Sequence, residues 1–261
     1  MKKYRSHFCI GEGNFTIVSD LNEVTIKGEQ IAHEIYMDVE KFATNHPVFK
    51  DSFEPTNFAV KDLQIPRVAR IMEEVTAPFG IGPMAAVAGA IADIIFERLQ
   101  SLDPRMLLVE DGGEIVVKST EPVTIGLYTG LTALGGDVGF EIDPLDMPIG
   151  IATSSATVSH AISLGEADAA TIFAKNGAVA DAAATFFCNN VKGNDIPQSI
   201  QRALAFLPSF EDCGVHGAFI VRESYVGTAG KIPRLVKIKN ESADIVARKE
   251  ISSKCPRQKK V

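Results

Sequence analysis

An α+β fold with a largely antiparallel sheet is what this 261-residue sequence predicts, and three features predict it. Short apolar runs lie close together between Gly, Asn and Asp residues, too close for the crossover that a parallel pair needs. Longer segments with apolar residues at helical spacing interrupt these runs. No Gly/Ser or Pro-rich linker separates the two helix-plus-sheet blocks, which divide near residue 145, so residues 1–261 read as one domain of two intimate halves sharing a core. No sequence repeat is evident between the halves, and the length suffices to bury a sizeable core.

In chain order, residues 8–10, 15–18 and 24–26 are expected to open the fold as a β-meander. A helix is expected from Gln30 to Thr44, with Ile31, Ile35, Val39 and Phe42 at helical spacing. Residues 45–66, rich in Pro, Phe and charge, read as an irregular connection. Helical spacing resumes at Val68, Ile71, Met72 and Val75 and stops at Gly80-Ile81-Gly82-Pro83. Pro is favoured in a first turn, so a second helix begins there and runs to about Gln100, apolar nearly all round and therefore buried. Strands are expected at 106–110, 115–118, 123–129, 138–142, 149–152 and 169–173. An Ala-rich helix and a second one at 197–207 come next, then strands at 218–222 and 235–239. The basic cluster within residues 252–261 reads as a solvated tail.

Composition narrows the function. A formal net charge of −7 argues against a protein that grips a phosphate backbone. With no Trp and 7% aromatic residues, stacking platforms for single-stranded nucleic acid are not expected either. The N-terminal stretch is basic but lacks the apolar core of a secretory signal, and no run of eighteen apolar residues would span a bilayer. Cys9, Cys188, Cys213 and Cys255 form no CxxC pair, which predicts reduced thiols in a cytoplasmic protein.

The most informative stretch is 178–185, Ala-Val-Ala-Asp-Ala-Ala-Ala-Thr. Asp181 and Thr185 are four apart, so on a helix they stand one turn above each other on a face otherwise built of small residues. A carboxylate and a hydroxyl on such a wall suit a hard cation such as Mg²⁺. The alternative is an Asp that complements the helix dipole and a Thr bonded to the preceding turn.

Three further segments look chemical. Gly80-Ile81-Gly82-Pro83 feeds a helix N-terminus that favours an anion, or is simply a helix-start turn. Glu110-Asp111-Gly112-Gly113-Glu114 carries a strong hairpin signal, yet puts three acids within five residues beside paired glycines that admit a ligand. Thr153, Ser154, Ser155, Thr157, Ser159 and His160 follow a strand, where hydroxyls suit phosphate oxygens or serve as a helix cap. His7, His33, His46 and His216 are isolated and read as structural or surface residues.

Taken together, these segments resemble the ApbE-like superfamily of flavin transferases, and in particular a cytoplasmic branch of it. That superfamily shows a Gly-Gly-Asp loop, a Thr-Ser-Gly segment and an Ala-Asp-Ala-Leu-Ala-Thr helix in this order. Here they correspond to Gly112-Gly113-Glu114, to Thr153-Ser154-Ser155 and to Ala180-Asp181-Ala182-Ala183-Ala184-Thr185. The resemblance spans residues 85 to 190 and implies an α+β fold of two related halves. It implies Mg²⁺ held by Asp181 and Thr185, bridging the pyrophosphate of FAD. Under an enzymatic reading, Asp111, Glu114 and His160 are the catalytic candidates, and Gly82, Gly112, Gly113, Thr153, Ser154 and Ser155 line the flavin nucleotide. The chemistry would be FAD cleavage or FMN transfer.

The family's His-x-x-Asp-Pro-x-Thr-Gly segment has no counterpart here. Residues 156–169 supply only His160, and Asp143-Pro144 lies earlier. That departure favours a second reading, a nucleotide or small-molecule carrier without turnover. A third reading packs the Ala-rich helices against one another in a homo-oligomer.

Overall fold

The computed structural model describes residues 1–58, 65–127, 138–156 and 165–238, and the backbone of a strand at 245–247. The hairpin β1 (Tyr4–Ile10) and β2 (Gly13–Ser19) leads into helices α1 (Asn22–Asn45), α2 (Pro47–Asp51), α3 (Arg67–Thr76) and α4 (Val87–Gln100). The hairpin β3 (Met106–Asp111) and β4 (Glu114–Ser119) follows, then β5 (Val123–Leu127) and β6 (Val138–Ile142). The second half repeats the scheme. Strands β7 (Ile149–Ser154) and β8 (Ala169–Ala174) precede α5 (Gly177–Asn190) and α6 (Ile196–Leu204), and β9 (Val215–Arg222) and β10 (Tyr225–Gly230) come after them. Strands β11 (Arg234–Lys237) and β12 (Ile245–Ala247) complete the order.

These strands form an eight-stranded sheet, β1-β2-β3-β4-β7-β8-β9-β10, and a four-stranded sheet, β11-β6-β5-β12. Neighbours in the large sheet are antiparallel throughout, and the two hairpin–helix–hairpin sets meet where β4 pairs with β7. Among the described strands, only β12 runs parallel to its neighbour, β5. The fold is α+β, as the short connections imply.

Both faces of the large sheet are covered. On β3, Leu107 and Val109 turn to the helices while Met106 and Leu108 turn to the small sheet. On β8, Ala170, Ile172 and Ala174 join the helix-side core, and Ala169 and Phe173 the other. A strand buried on both sides loses the polar–apolar alternation that usually marks an antiparallel sheet. Phe140 of the small sheet meets Phe173 and Phe219 edge-on, with centroids 4.8 and 5.3 Å away. Each such ring contributes on the order of 2–3 kcal/mol by burial.

Several expectations are corrected. Residues 24–26 lie inside α1 rather than in a third strand. Val24, Thr25 and Ile26 favour strands, but Val24, Gly28, Ala32, Ile35, Val39 and Phe42 form one continuous buried helical stripe, and packing overrides the local preference. The connection at 45–66 holds the short helix α2, seated through the buried Phe49. Strand β10 has no counterpart among the expected elements, because its two glycines and its exposed edge position suppress the usual signal. Cys188 and Cys213 are free thiols, and Cys255 lies outside the described residues. The expected extensions at 128–129 and 239 and the basic tail at 252–261 lie outside the described residues. Among the described residues, no single helix is long and apolar enough to cross a membrane.

Candidate functional site

The helices α4 and α5 cross where two glycines meet. A Cβ on Gly89 would lie 2.4 Å from the Gly177 carbonyl oxygen, and one on Gly177 would lie 3.1 Å from the Gly89 carbonyl oxygen. Four residues along each helix stands an aspartate that reaches the other helix. Asp181 Oδ2 accepts from the Gly89 N–H at 3.0 Å. Asp93 Oδ1 and Oδ2 accept from the Gly177 and Ala178 N–H groups, both at 2.8 Å. Gly89-Ala90-Ile91-Ala92-Asp93 and Gly177-Ala178-Val179-Ala180-Asp181 are therefore a repeated pentapeptide, visible in the sequence and missed there, because the two copies stand in segments that otherwise differ. It corrects the expectation that no repeat joins the halves.

The alanines of α5 are filled space within this chain. Ala178, Ala180, Ala182, Ala183 and Ala184 are at most 1% exposed. Asn176 caps the helix by accepting from the Val179 N–H at 3.0 Å. Asp181 and Thr185 take the partly accessible stripe instead, as their four-residue spacing predicts.

The acidic segment is a two-residue hairpin. Asp111 pairs with Glu114 across Gly112 and Gly113, whose φ values of 61° and 110° are the left-handed geometry such a turn demands. Strand alternation turns Asp111, like Leu107 and Val109, toward the helices, and Glu114 shares that side with Val116. Burial pushes the Asp111 carboxyl up to about 7; a hydrogen bond from the Asn14 N–H opposes this, and the charges of Asp181 and Glu110 add to it. Asp111 thus feels the field of Asp181 although 70 positions separate them in sequence (181 minus 111).

On β7, Ser154 lies on the helix side with its Oγ 3.5 Å from Thr185 Oγ1. Thr153 turns the other way and bonds Thr171 at 2.9 Å, away from this group. Ser155 is buried just past the strand end. Gly82 packs beneath Ser52, whose carbonyl oxygen would lie 1.8 Å from an added Cβ, so close approach alone accounts for this glycine. His160 lies outside the described residues. The fold therefore brings Asp181, Thr185, Ser154 and Asp111 into one neighbourhood and leaves Thr153 out of it.

This donor set suits a hard cation. Carboxylate and hydroxyl oxygens are what Mg²⁺ takes, and a dication would offset the repulsion between Asp181 and Asp111 that adds to the effect of burial. A carboxylate has lone pairs enough to accept from Gly89 and ligate at once. Among the described residues no cage of three or more His, Cys, Asp or Glu side chains exists, so an ion here would also draw on the hydroxyls and on a ligand's own oxygens.

Sequence reasoning overlooked Asp93. Burial pushes its carboxyl up to about 6 against the pull of its two N–H donors, and the Glu97 charge adds slightly. A third raised carboxyl, Glu110, faces the other side of the sheet, where Thr16 bonds it.

A family model described as "AbpE bacteria" matches residues 1–250. A UPF0280 protein of Methanocaldococcus jannaschii is 36% identical over 236 residues, covering 90% of this chain and 93% of its own. Another, from Methanopyrus kandleri, is 34% identical over 238 residues, with coverage of 90% and 94%. Among solved structures, the flavin transferase ApbE from Vibrio cholerae matches with a TM-score of 0.54 at 12% identity, over 88% of this chain and 97% of that one. The ApbE protein from Thermotoga maritima matches with a TM-score of 0.54 at 16% identity, over 87% and 97%. At these identities the structural likeness is one of fold.

Proposed function

The chain belongs to the family described as AbpE bacteria, and from that premise we propose that it binds FAD together with Mg²⁺ and acts on the pyrophosphate, by cleavage or by FMN transfer. The observation that carries this reading is the meeting of Asp181, Thr185 and Ser154 beside Asp111. Asp181 and Thr185 hold the metal. When bound, Mg²⁺ supplies a Lewis acid for a phosphoryl oxygen. Ser154 and Ser155 offer hydroxyls to the phosphates, and the Gly112-Gly113 turn allows the nucleotide to lie close to the backbone. Asp111, with its carboxyl near 7, is matched to taking a proton from an attacking nucleophile at neutral pH, and Glu114 and His160 are its alternatives.

Calorimetric titration of the metal-free protein with FAD, FMN and ADP, with and without Mg²⁺, tests this, with the recovered ligand analysed by chromatography. Tight Mg²⁺-dependent FAD binding with FMN and AMP appearing is the expected result. A second reading, a nucleotide carrier without turnover, is favoured by the missing His-x-x-Asp-Pro-x-Thr-Gly segment between Ser155 and Asp181. It predicts binding without products. No binding of any of the three ligands would overturn both.

Asp181→Ala is expected to weaken Mg²⁺-dependent FAD binding by at least about a hundredfold, roughly 2.8 kcal/mol. The fold should persist, because losing the bond to Gly89, worth about 1 kcal/mol, is offset by relieving the repulsion on Asp111. Parental affinity in this variant would refute the assignment. His160→Gln separates the two readings: a catalytic His lowers turnover and leaves FAD affinity unchanged, whereas under the carrier reading there is no turnover to lower.

A further inference from the structure

We propose that Asp93 is a positioning residue for the metal pair, clamping the first turn of α5 from the neighbouring helix so that Asp181 and Thr185 are held in place. The inference rests on the Mg²⁺ reading of that pair. Its physical basis is the way the four orphan N–H groups of a helix start are satisfied. In α5 the Gly177 and Ala178 N–H groups go to the two oxygens of Asp93, and the Val179 N–H goes to the Asn176 side chain. The Ala180 N–H then makes the first ordinary helical bond, to the Asn176 carbonyl at 3.2 Å. Two of the orphan donors thus meet a residue 84 positions earlier, reached only because glycines at 89 and 177 let the helices touch. A bidentate carboxylate fixes orientation as well as distance, since both donors must be met at once.

The clamp is reciprocal. Asp181, from one turn further along α5, accepts from Gly89, one turn before Asp93 on α4. Each copy of the repeated pentapeptide therefore holds the start of the other. The two copies have diverged one turn later, where α4 carries Glu97 and α5 carries Thr185. Glu97 is committed to an exposed fork with Arg67, at 3.0 and 2.5 Å. Only the α5 copy keeps a hydroxyl facing Ser154. The division of labour follows: the α5 aspartate belongs to the metal pair, and the α4 aspartate holds the helix that presents it.

Asp93→Asn tests this. The amide presents one acceptor and one donor to two N–H groups, so the bidentate clamp is lost with little change of volume. Titration with Mg²⁺ alone, and with Mn²⁺ followed by electron paramagnetic resonance, should show at least a tenfold rise in dissociation constant, the range typical of lost outer-shell support. Asp195→Ala is the control, since it removes the N-cap of α6, where the Gln198 N–H donates to Asp195. That variant should lose comparable stability and keep the parental metal affinity. Equal losses of affinity in both variants would reduce Asp93 to general stability and overturn the proposal, as would parental affinity in Asp93→Asn while Asp181→Ala abolishes binding. Should Asp93→Asn fail to fold, hydrogen exchange on the unaltered protein decides: Mg²⁺ must slow exchange at Gly177 and Ala178. Unchanged exchange there, in a protein that binds the ion, would overturn the clamp. A wild-type chain that binds neither ion would remove the metal reading itself.

Discussion

Gly89→Ala should destabilise the protein by about 2 kcal/mol or more and abolish Mg²⁺-dependent binding in the same step. The new Cβ would stand 2.4 Å from the Gly177 carbonyl oxygen, 2.6 Å from its carbonyl carbon and 2.9 Å from the Ala178 Cα. All three are backbone atoms of α5, so no side chain can swing aside and one helix must move. Overpacking of this kind costs roughly 1–3 kcal/mol, and more where backbone is rigid. Against it stands only the better helix propensity of Ala, about 1 kcal/mol. The displaced helix carries Asp181, and the Gly89 N–H that Asp181 accepts from moves with it. Urea unfolding together with Mg²⁺ titration measures both effects. A variant as stable as the parent would mean that the crossing is looser than the glycine contact indicates.

That crossing also marks the limit of what the sequence discloses. Asp181 and Thr185 stand out because a helical period of 3.6 puts them on one face amid alanines, a local argument. The hairpin at Gly112-Gly113 is equally local. Ser154 near Thr185, and Asp111 in the field of Asp181, depend on how β3, β7 and α5 stack, which no spacing along the chain encodes. Asp93 is invisible to a search for chemical motifs because it sits in an apolar helix and its partners are backbone N–H groups. The repeated Gly-Ala-x-Ala-Asp was nevertheless in plain view, and a comparison of the two helices with each other would have found it. Elements marked by their own local pattern were legible, as in α3 with its helical spacing and α4, apolar nearly all round. Those governed by long-range packing were not: residues 24–26 were drawn into α1, and the edge strand β10 has nothing apolar to announce it.

Glu110→Gln should flatten the pH dependence of stability. Glu110 lies on β3 facing away from the candidate site, in register with Thr16 on β2, which is in register with His7 on β1. Burial pushes its carboxyl up to about 7, opposed by a hydrogen bond from the Thr16 hydroxyl and by the Arg5 charge. The Thr16 oxygen also lies 3.2 Å from His7 Nδ1, so a hydroxyl that donates to Glu110 can accept from the His7 N–H. A carboxyl whose folded value lies above its unfolded one, near 4.5, binds its proton more tightly when folded. The stability it contributes is complete below pH 4.5, declines as pH rises from there to about 7, and is gone above that. Between pH 5 and 8 this single group should cost the parent on the order of 2–3 kcal/mol. Glutamine keeps an acceptor for Thr16 and never ionises, so the variant escapes that cost. Unfolding in urea at pH 5 and pH 8 measures the difference: the variant should gain on the parent by about that amount at the higher pH. A constant difference across the range would mean that Glu110 is ionised at both, and that Arg5 and Thr16 outweigh its burial.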